Sequence, residues 1–254
     1  MSETQKRVVI GPDPVVLAAS VAARFLRLVA ARLADADLVH VALAGGTAAT
    51  SVLRAVGVQP GRADVDWSRV HVWWTDESLA SRDSGVRDEK RGRAALMDQL
   101  ALPDGNVHAM AASGDLDRAA VDYAAELSRF GDGDQPWPSF DVCLLGVGAD
   151  GHIASLFPDR GEIQVVDRSV VAVRDAPMPP PERLSLTRPV INSSREVWMV
   201  LTGSDKAPAL GLALAGASYQ SVPAAGAKGR ERTLLFVDRA AAADVPAELI
   251  EQDD

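Results

Sequence analysis

Residues 140–157 read FDVCLLGVGADGHIASLF, an apolar run that ends in a glycine-rich turn. A continuous apolar run is typical of a parallel strand that is covered on both faces. Residues 146–151 formally match the dinucleotide fingerprint G-x-G-x-x-G. However, Pro158 leaves too little chain for the crossover helix that a dinucleotide site needs. We therefore predict a strand followed by a turn that presents Asp150 and His152 side by side.

Short apolar runs alternate with longer segments of helical periodicity on both sides of this stretch. The predicted strands are 7–10, 38–43, 70–74, 107–110, 140–145, 169–173, 197–201 and 233–237. The predicted helices are 15–34, 47–56, 87–100 and 116–130. The alternation predicts a Rossmann-like α/β fold, with a mainly parallel twisted sheet and helices on both faces. We expect a single domain over residues 1–254, with a frayed acidic tail at 251–254.

The composition excludes several classes of protein. The chain has 254 residues, 47% of them hydrophobic, a formal net charge of −9 and one cysteine. The single Cys143 rules out a disulfide framework, and its apolar surroundings predict an inert core thiol. The negative charge opposes general binding of nucleic acid. We find no secretory signal and no apolar run near the ~18 residues that span a bilayer, so we expect a cytoplasmic protein without membrane partners.

Ligands of such a sheet bind at the carboxyl ends of its strands, where loops meet helix amino termini. The segment Ala44-Gly45-Gly46-Thr47 lies at such a point, and its backbone amides favour an anion. The alternative is a tight turn with Thr47 as the helix N-cap. The segment lacks the lysine of a nucleotide-binding P-loop, so ATP is not implied.

Charged residues follow two further strands and the proline-rich loop at residues 177–181. Asp76 and Glu77 are either solvated loop carboxylates or groups that bind sugar hydroxyls or transfer a proton. Arg183 and Lys206 are either ordinary surface cations or ligands for a phosphate. Because the net charge repels anions, a phosphate site would have to concentrate positive potential locally.

His152 differs from the other histidines by its position. His40, His71 and His108 lie within or beside predicted strands, and for these we favour a structural role. His152 follows a strand and has a carboxylate two residues away, which suits a general base whose tautomer is fixed by its neighbour. We therefore predict a catalytic role for His152.

Together, these segments resemble the 6-phosphogluconolactonases, a family of the glucosamine-6-phosphate isomerase/deaminase-like α/β superfamily. Residues 144–159, LLGVGADGHIASLFPD, are similar to the glycine–aspartate–glycine–histidine signature of that family. Other segments follow in the family's order along essentially the whole chain: AGGT, WWTDES, RLSLTRPVIN, TGSDKAPAL and LLFVDRAAA.

The resemblance implies hydrolysis of 6-phosphoglucono-1,5-lactone to 6-phosphogluconate, the second step of the oxidative pentose phosphate pathway, without a metal or organic cofactor. By position, His152 would be the general base, and Asp150 would orient it or bind the sugar. Asp76 would lie near the sugar ring. The residues expected to hold the phosphate are Gly45, Gly46, Thr47, Arg183 and Lys206. The partner is then a small phosphorylated lactone, and the oligomeric state stays open, a monomer being compatible.

The chain departs from the family pattern in one place. The family usually reads Asp-Glu-Arg where this sequence has Asp-Glu-Ser, so Ser78 replaces an arginine that helps to bind substrate. Downstream, Asp88 stands at the position of a family asparagine. The hypothesis is that Arg82, Arg87 or Arg91 reaches back to replace the missing cation.

Two alternatives remain open. A deaminase or isomerase of a phosphorylated amino sugar would use an extra carboxylate a few residues after its histidine. In this chain no acid follows His152 before Asp159. A sugar-phosphate-binding protein without catalysis is favoured by Ser78 and opposed by the intact Asp150 and His152.

Overall fold

The computed structural model describes residues 6–243 and 245–251, and ten strands form within them. In chain order they are β1 (Lys6–Gly11), β2 (Val39–Leu43), β3 (Val70–Trp74), β4 (Asp76–Ser78), β5 (Val107–His108), β6 (Val142–Gly146), β7 (Val170–Val173), β8 (Arg183–Leu186), β9 (Glu196–Leu201) and β10 (Arg232–Asp238). Seven of them form one sheet in the order β1-β10-β9-β6-β2-β3-β5. Every neighbouring pair in this sheet is parallel. The predicted α/β class with a mainly parallel sheet is confirmed.

Six α-helices lie between the described strands. They are α1 (Pro14–Asp35), α2 (Gly46–Val58), α3 (Asp88–Ala95), α4 (Leu116–Ser128), α5 (Arg188–Asn192) and α6 (Ala207–Leu214). Short 3₁₀ turns occupy Pro60–Asp64, Trp67–Arg69, Met97–Gln99, Asp104–Asn106, Gly161–Gln164, Ser204–Lys206, Pro223–Gly226 and Ala247–Leu249. The helix predicted over 87–100 ends at Ala95, because Leu96 leaves helical geometry (φ −145°) and turns into the core together with Met97.

The helices cover both faces of the sheet, as predicted. Trp73 and Trp74 are consecutive on β3, so their side chains point to opposite faces. The indole of Trp73 contacts the ring of Tyr123 on α4, with 6.2 Å between ring centroids. The indole of Trp74 packs so closely on α3 that a Cβ at Gly92 would overlap it. Helices α3 and α4 therefore lie on opposite sides of β3.

Helix α1 is the one described helix that is long and apolar enough to cross a membrane. It begins after Asp13, whose carboxylate accepts the amides of Val15 and Val16 at 2.9 Å. Its residues Leu17 and Val21 are fully buried in the hydrophobic core of the protein. The apolar side chains of α1 thus have a packing role within this fold.

A second, smaller sheet was not predicted. Strands β4, β8 and β7 form a three-stranded antiparallel sheet, in which Asp76 pairs with Ser185 and Ser78 pairs with Arg183. The strand predicted at 169–173 exists at Val170–Val173 but belongs to this sheet. β4 was missed because its polar sequence, Asp-Glu-Ser, resembles a solvated loop, whereas all three residues are buried.

The predicted tail lies at the end of the described chain. Residues 252–254 are outside the described residues. The amide of Glu251 donates to the carbonyl of Val8 at 2.7 Å, and its carboxylate pairs with Arg24. Glu251 itself is therefore bound to the body of the protein.

Candidate active site

A cleft of about 600 Å³ opens at the carboxyl ends of the parallel strands. Strands β2 and β6 are neighbours there, and the amide of Ala44, just after β2, donates to the carbonyl of Leu144 at 2.8 Å. From β2 the chain continues to β3 on one side. From β6 it first passes through β7 and β8 of the small sheet and then returns to the main sheet at β9, on the other side. Such a switch point leaves a crevice for a ligand. The predicted residues that line the cleft are Gly45, Gly46, Thr47, Asp76, His152, Arg183 and Lys206.

Asp150 joins the site through its contact with His152. Its Oδ1 lies 2.6 Å from Nδ1 of the imidazole and also accepts the backbone amide of His152 at 3.1 Å. Partial burial opposes ionisation of Asp150, but these hydrogen bonds and the nearby imidazole outweigh it and hold the pKa of Asp150 below its ordinary value. An ionised carboxylate only accepts hydrogen bonds, so Nδ1 carries the proton. The lone pair of Nε2 is then the basic one.

Glycines shape the turn that carries this pair. Gly151 adopts φ 85°, a conformation that a side chain would strain. At Gly148 a Cβ would overlap both the imidazole of His152 and the carboxylate of Asp150. The turn is closed by the amide of Gly148, which donates to the carbonyl of His152 at 2.9 Å. The glycines therefore let the imidazole fold back over the turn at the mouth of the cleft.

The turn after β2 presents backbone amides. Helix α2 begins at Gly46, with Gly45 as N-cap and no side-chain hydrogen bond to the cap. Thr47 is exposed and is not the N-cap, contrary to the alternative interpretation of this segment. A Cβ at Gly45 would overlap the carboxylate of Asp88, so that carboxylate packs directly on the turn. The amino terminus of α2 is thus open to an anion, with one acidic side chain already beside it.

A buried polar cluster forms the floor of the cleft. Nη2 of Arg183 lies 3.2 Å from Oδ2 of Asp76, and Nε donates to Oγ of Ser155 at 2.5 Å. Oγ of Ser155 in turn donates to Oδ2 of Asp76 at 2.7 Å. Nη1 of Arg183 donates to Oγ of Ser78 at 3.0 Å. Ser78 therefore has a defined role here, because it gives the guanidinium a partner.

Ser155 was missed by the sequence analysis. It follows His152 within an apolar segment, and its side chain is fully buried. A small polar residue inside an apolar run was the available signal, since a buried hydroxyl must find a hydrogen-bond partner.

Lys206 also lines the cleft. It follows β9, and its Nζ pairs with Oδ2 of Asp205 at 3.0 Å. The lysine side chain is 24% exposed and that of Asp205 is 64% exposed. An exposed pair of this kind is weak, so Lys206 is available to an incoming anion.

The adjacent carboxylates Asp76 and Glu77 have different roles. Asp76 faces the cleft, whereas Glu77 accepts the backbone amides of Asp88 and Glu89 at 3.0 and 2.9 Å and so caps α3. Burial, reinforced by the charge of Asp88, raises the pKa of Glu77 to about 7, although the amide hydrogen bonds and Arg87 oppose this. Successive residues of a strand point to opposite sides, so only one of the pair can face the ligand.

The three candidate arginines also differ. Arg87 is fully buried, and its guanidinium donates to the carbonyls of Met110 at 2.8 Å and Ala111 at 3.0 Å. Arg87 therefore holds the loop in place, and the hypothesis that it reaches the substrate is wrong. Arg82 is exposed and does not line the cleft, whereas Arg91 does.

The remaining histidines lie in the sheet. His71 Nδ1 is 2.9 Å from His108 Nε2, and His108 Nδ1 is 2.8 Å from Oε1 of Glu126. Burial, with the neighbouring imidazoles, lowers the pKa of His40 to about 4. None of the three lines the cleft.

Cys143 is buried in β6, and burial raises the pKa of its thiol, as expected of an inert core residue.

A wider groove lies beside α4 and β7, with a volume of about 1160 Å³. Its cations pair with neighbouring carboxylates, such as Arg174 with Asp117 at 2.7 Å. It contains none of the predicted site residues.

Among residues 6–243 and 245–251, no group of three or more His, Cys, Asp or Glu side chains could hold a metal ion.

Comparison with known proteins agrees with the fold. The family model described as glucosamine-6-phosphate isomerases/6-phosphogluconolactonase matches residues 12–236. The chain is 41% identical over 256 aligned positions to the 6-phosphogluconolactonase of Streptomyces coelicolor, with 98% of both chains covered. It is 42% identical over 243 positions to that of Mycobacterium tuberculosis, covering 94% of this chain and 98% of the relative.

A solved structure is also similar. The 6-phosphogluconolactonase of Thermotoga maritima is 26% identical, has a TM-score of 0.82, and is matched over 92% of this chain and 100% of its own. The resemblance inferred from the motifs is thus confirmed. This chain belongs to the family of glucosamine-6-phosphate isomerases and 6-phosphogluconolactonases.

Proposed function

We propose that this chain hydrolyses 6-phosphoglucono-1,5-lactone to 6-phosphogluconate, with His152 as the general base that activates water. The observation that carries the proposal is the 2.6 Å contact between Asp150 and Nδ1 of His152. It leaves Nε2 free to take a proton at the edge of a cleft that also contains cations and helix amides.

The chemistry requires one proton to move twice. Water loses a proton to Nε2 as its oxygen bonds to the lactone carbonyl carbon. The ring C–O bond then breaks, and the ring oxygen takes the proton from the imidazolium, which gives a hydroxyl and a carboxylic acid that ionises. Asp150 stabilises the imidazolium between these events. A δ-lactone is already an activated ester, so a base that contributes about 10²–10⁴-fold, together with positioning, suffices.

Backbone amides and cations of the same cleft would hold the phosphate. The amides of Gly45, Gly46 and Thr47 offer hydrogen bonds at the positive end of α2. Arg183 and Lys206 add charge, and Asp76, which is bound to Arg183, lies near the sugar ring. Anchoring the phosphate in this way would orient the lactone carbonyl towards His152.

The arrangement gives amino-sugar deamination less support than lactone hydrolysis. Asp159, the first acid after His152, does not line the cleft, so it offers no second carboxylate for ring opening or enolisation. The proposal also includes a cytoplasmic location, expected from the composition, a place in the oxidative pentose phosphate pathway, and hydrolysis without a metal or organic cofactor.

Lactone hydrolysis by the wild type and by His152→Ala, corrected for the spontaneous reaction, tests the proposal. We expect kcat to fall by at least about 10²-fold, the lower end for a lost general base. Calorimetric binding of 6-phosphogluconate should survive the substitution, and the thermal unfolding midpoint serves as a control for folding. Unchanged kcat in His152→Ala would refute the assignment of the base. Ammonia release from glucosamine 6-phosphate faster than lactone hydrolysis would refute the reaction.

A further inference from the structure

Each cation that lines the cleft, among the described residues, is already paired with a carboxylate. The pairs are Arg91 with Asp88, Arg183 with Asp76 and Lys206 with Asp205. The side chain of Arg91 is 42% exposed, compared with 24% for Lys206 and 10% for Arg183. Arg91 is therefore the cleft cation with the greatest freedom to turn towards a ligand.

Arg183 has little capacity left for a phosphate. All three nitrogens of its guanidinium group are engaged, Nε with Ser155, Nη1 with Ser78 and Nη2 with Asp76. Two of its five N–H donors remain for a ligand. The net charge of −9 repels a doubly charged phosphate, so each further cation at the cleft adds to its binding.

Helix α3 holds the backbone of Arg91 in a fixed position at the cleft. Its first amides, those of Asp88 and Glu89, donate to the buried carboxylate of Glu77. Gly92, the residue after Arg91, lets the helix lie directly against the indole of Trp74. The anchor of Arg91 is thus rigid, while its long side chain lies at the surface.

The carboxylate of Asp88 shows where the Arg91 guanidinium lies. This carboxylate packs on Gly45 at the first turn of α2, and Nη2 of Arg91 pairs with its Oδ1. One carboxylate therefore contacts both the arginine and the turn whose amides attract anions. An anionic group thus already fits between Arg91 and the amino terminus of α2.

We propose that Arg91 binds the phosphate of the substrate together with the first turn of α2, and that it sets the preference for a phosphorylated over an unphosphorylated lactone. This inference rests on the proposed function. The family's usual arginine would lie on β4, at the position of Ser78. Arg91 supplies a cation from α3 instead. Asp88 holds the guanidinium in place until the phosphate arrives, and the arginine then exchanges one anionic partner for another.

The test compares two substrates, 6-phosphoglucono-1,5-lactone and glucono-1,5-lactone. We expect Arg91→Ala to lower kcat/KM for the phosphorylated lactone by about tenfold or more, through KM, because a partly exposed charge-assisted contact is lost. The value for glucono-1,5-lactone should stay within about twofold, since this substrate has no phosphate. Arg91→Lys should recover part of the lost kcat/KM, because the lysine ammonium keeps a positive charge near the phosphate. Arg82→Ala is the matched control, because it removes the same charge from an exposed residue outside the cleft.

Two results would overturn the inference. One is a KM for the phosphorylated lactone that Arg91→Ala leaves within about twofold of the wild type. The other is an equal loss on both substrates, which would mean a general disturbance of the site. Calorimetry with inorganic phosphate gives a readout that does not depend on turnover. Arg91→Ala should bind phosphate about tenfold more weakly, and equal affinity, or no binding to either protein, contradicts the inference even if the wild type hydrolyses neither lactone.

Discussion

Replacing Asp150 by asparagine isolates what the carboxylate does for His152. The substitution keeps the size of the side chain but removes the charge that faces Nδ1 at 2.6 Å. An amide can also donate to Nδ1, which would move the imidazole proton to Nε2 and remove the basic lone pair from the cleft. We expect kcat for lactone hydrolysis to fall while KM changes little.

The magnitude follows from the geometry of the contact. A hydrogen bond to a charged group contributes about 1.5–3 kcal/mol. The Asp150 side chain is 45% exposed, so solvent screening favours the lower part of that range, about 1.5–2 kcal/mol. At 1.36 kcal/mol for each factor of ten, kcat should fall by about 10- to 30-fold.

The assay is steady-state lactone hydrolysis in a double-mutant cycle. If Asp150 acts through the imidazole, Asp150→Asn should have almost no further effect in the His152→Ala background. A kcat within about twofold of the wild type would mean that the carboxylate does not support the imidazole. The same fold loss with and without His152 would also refute this role, since Asp150 would then act by another route.

Three further predictions concern the turn, the loop and the sheet. Gly148→Ala should lower kcat by up to about 10²-fold in the lactone assay without unfolding the protein, because its Cβ displaces the His152 imidazole. Arg87→Met should lower the free energy of unfolding in urea by about 3–5 kcal/mol, because the buried carboxylates of Glu77 and Glu89 and the carbonyls of the loop lose the guanidinium that they share, whereas Arg82→Met should change it by less than about 0.5 kcal/mol. The imidazole of His40 should titrate near pH 4 by NMR, below its ordinary value of 6.5. Since the unfolded chain takes up that proton first, His40 should make the protein less stable as the pH falls from 6.5 towards 4.

The sequence was sufficient for the parts of the fold that rest on local patterns. Continuous apolar runs indicated the strands of the main sheet, and the glycine turns after β2 and β6 indicated where the cleft lies. The place of His152 at the cleft could be predicted from its position after a strand, beside Asp150. Each of these signals lies within a few residues of the feature it predicts.

The features that were missed depend on contacts between distant segments. The β4 strand is polar and short, and its stability comes from pairing with β8, far along the chain. Ser155 gains its role only when the fold brings Arg183 and Asp76 within hydrogen-bond distance of its hydroxyl. Arg87 looked like a candidate for the substrate because its burial depends on how residues 77–111 fold around it. No spacing rule within one segment could have indicated these contacts.

The pairing of β1 with β10 has a consequence for synthesis of the chain. In the described residues β10 is the one strand of the main sheet beside β1, and Lys6 pairs with Thr233 in that register. β1 is thus synthesised well before β10 and cannot enter the sheet until β10 has followed it. Until then its apolar residues Val8 and Val9 are available to chaperones. A nascent chain arrested before β10 would leave β1 unpaired, with these side chains exposed.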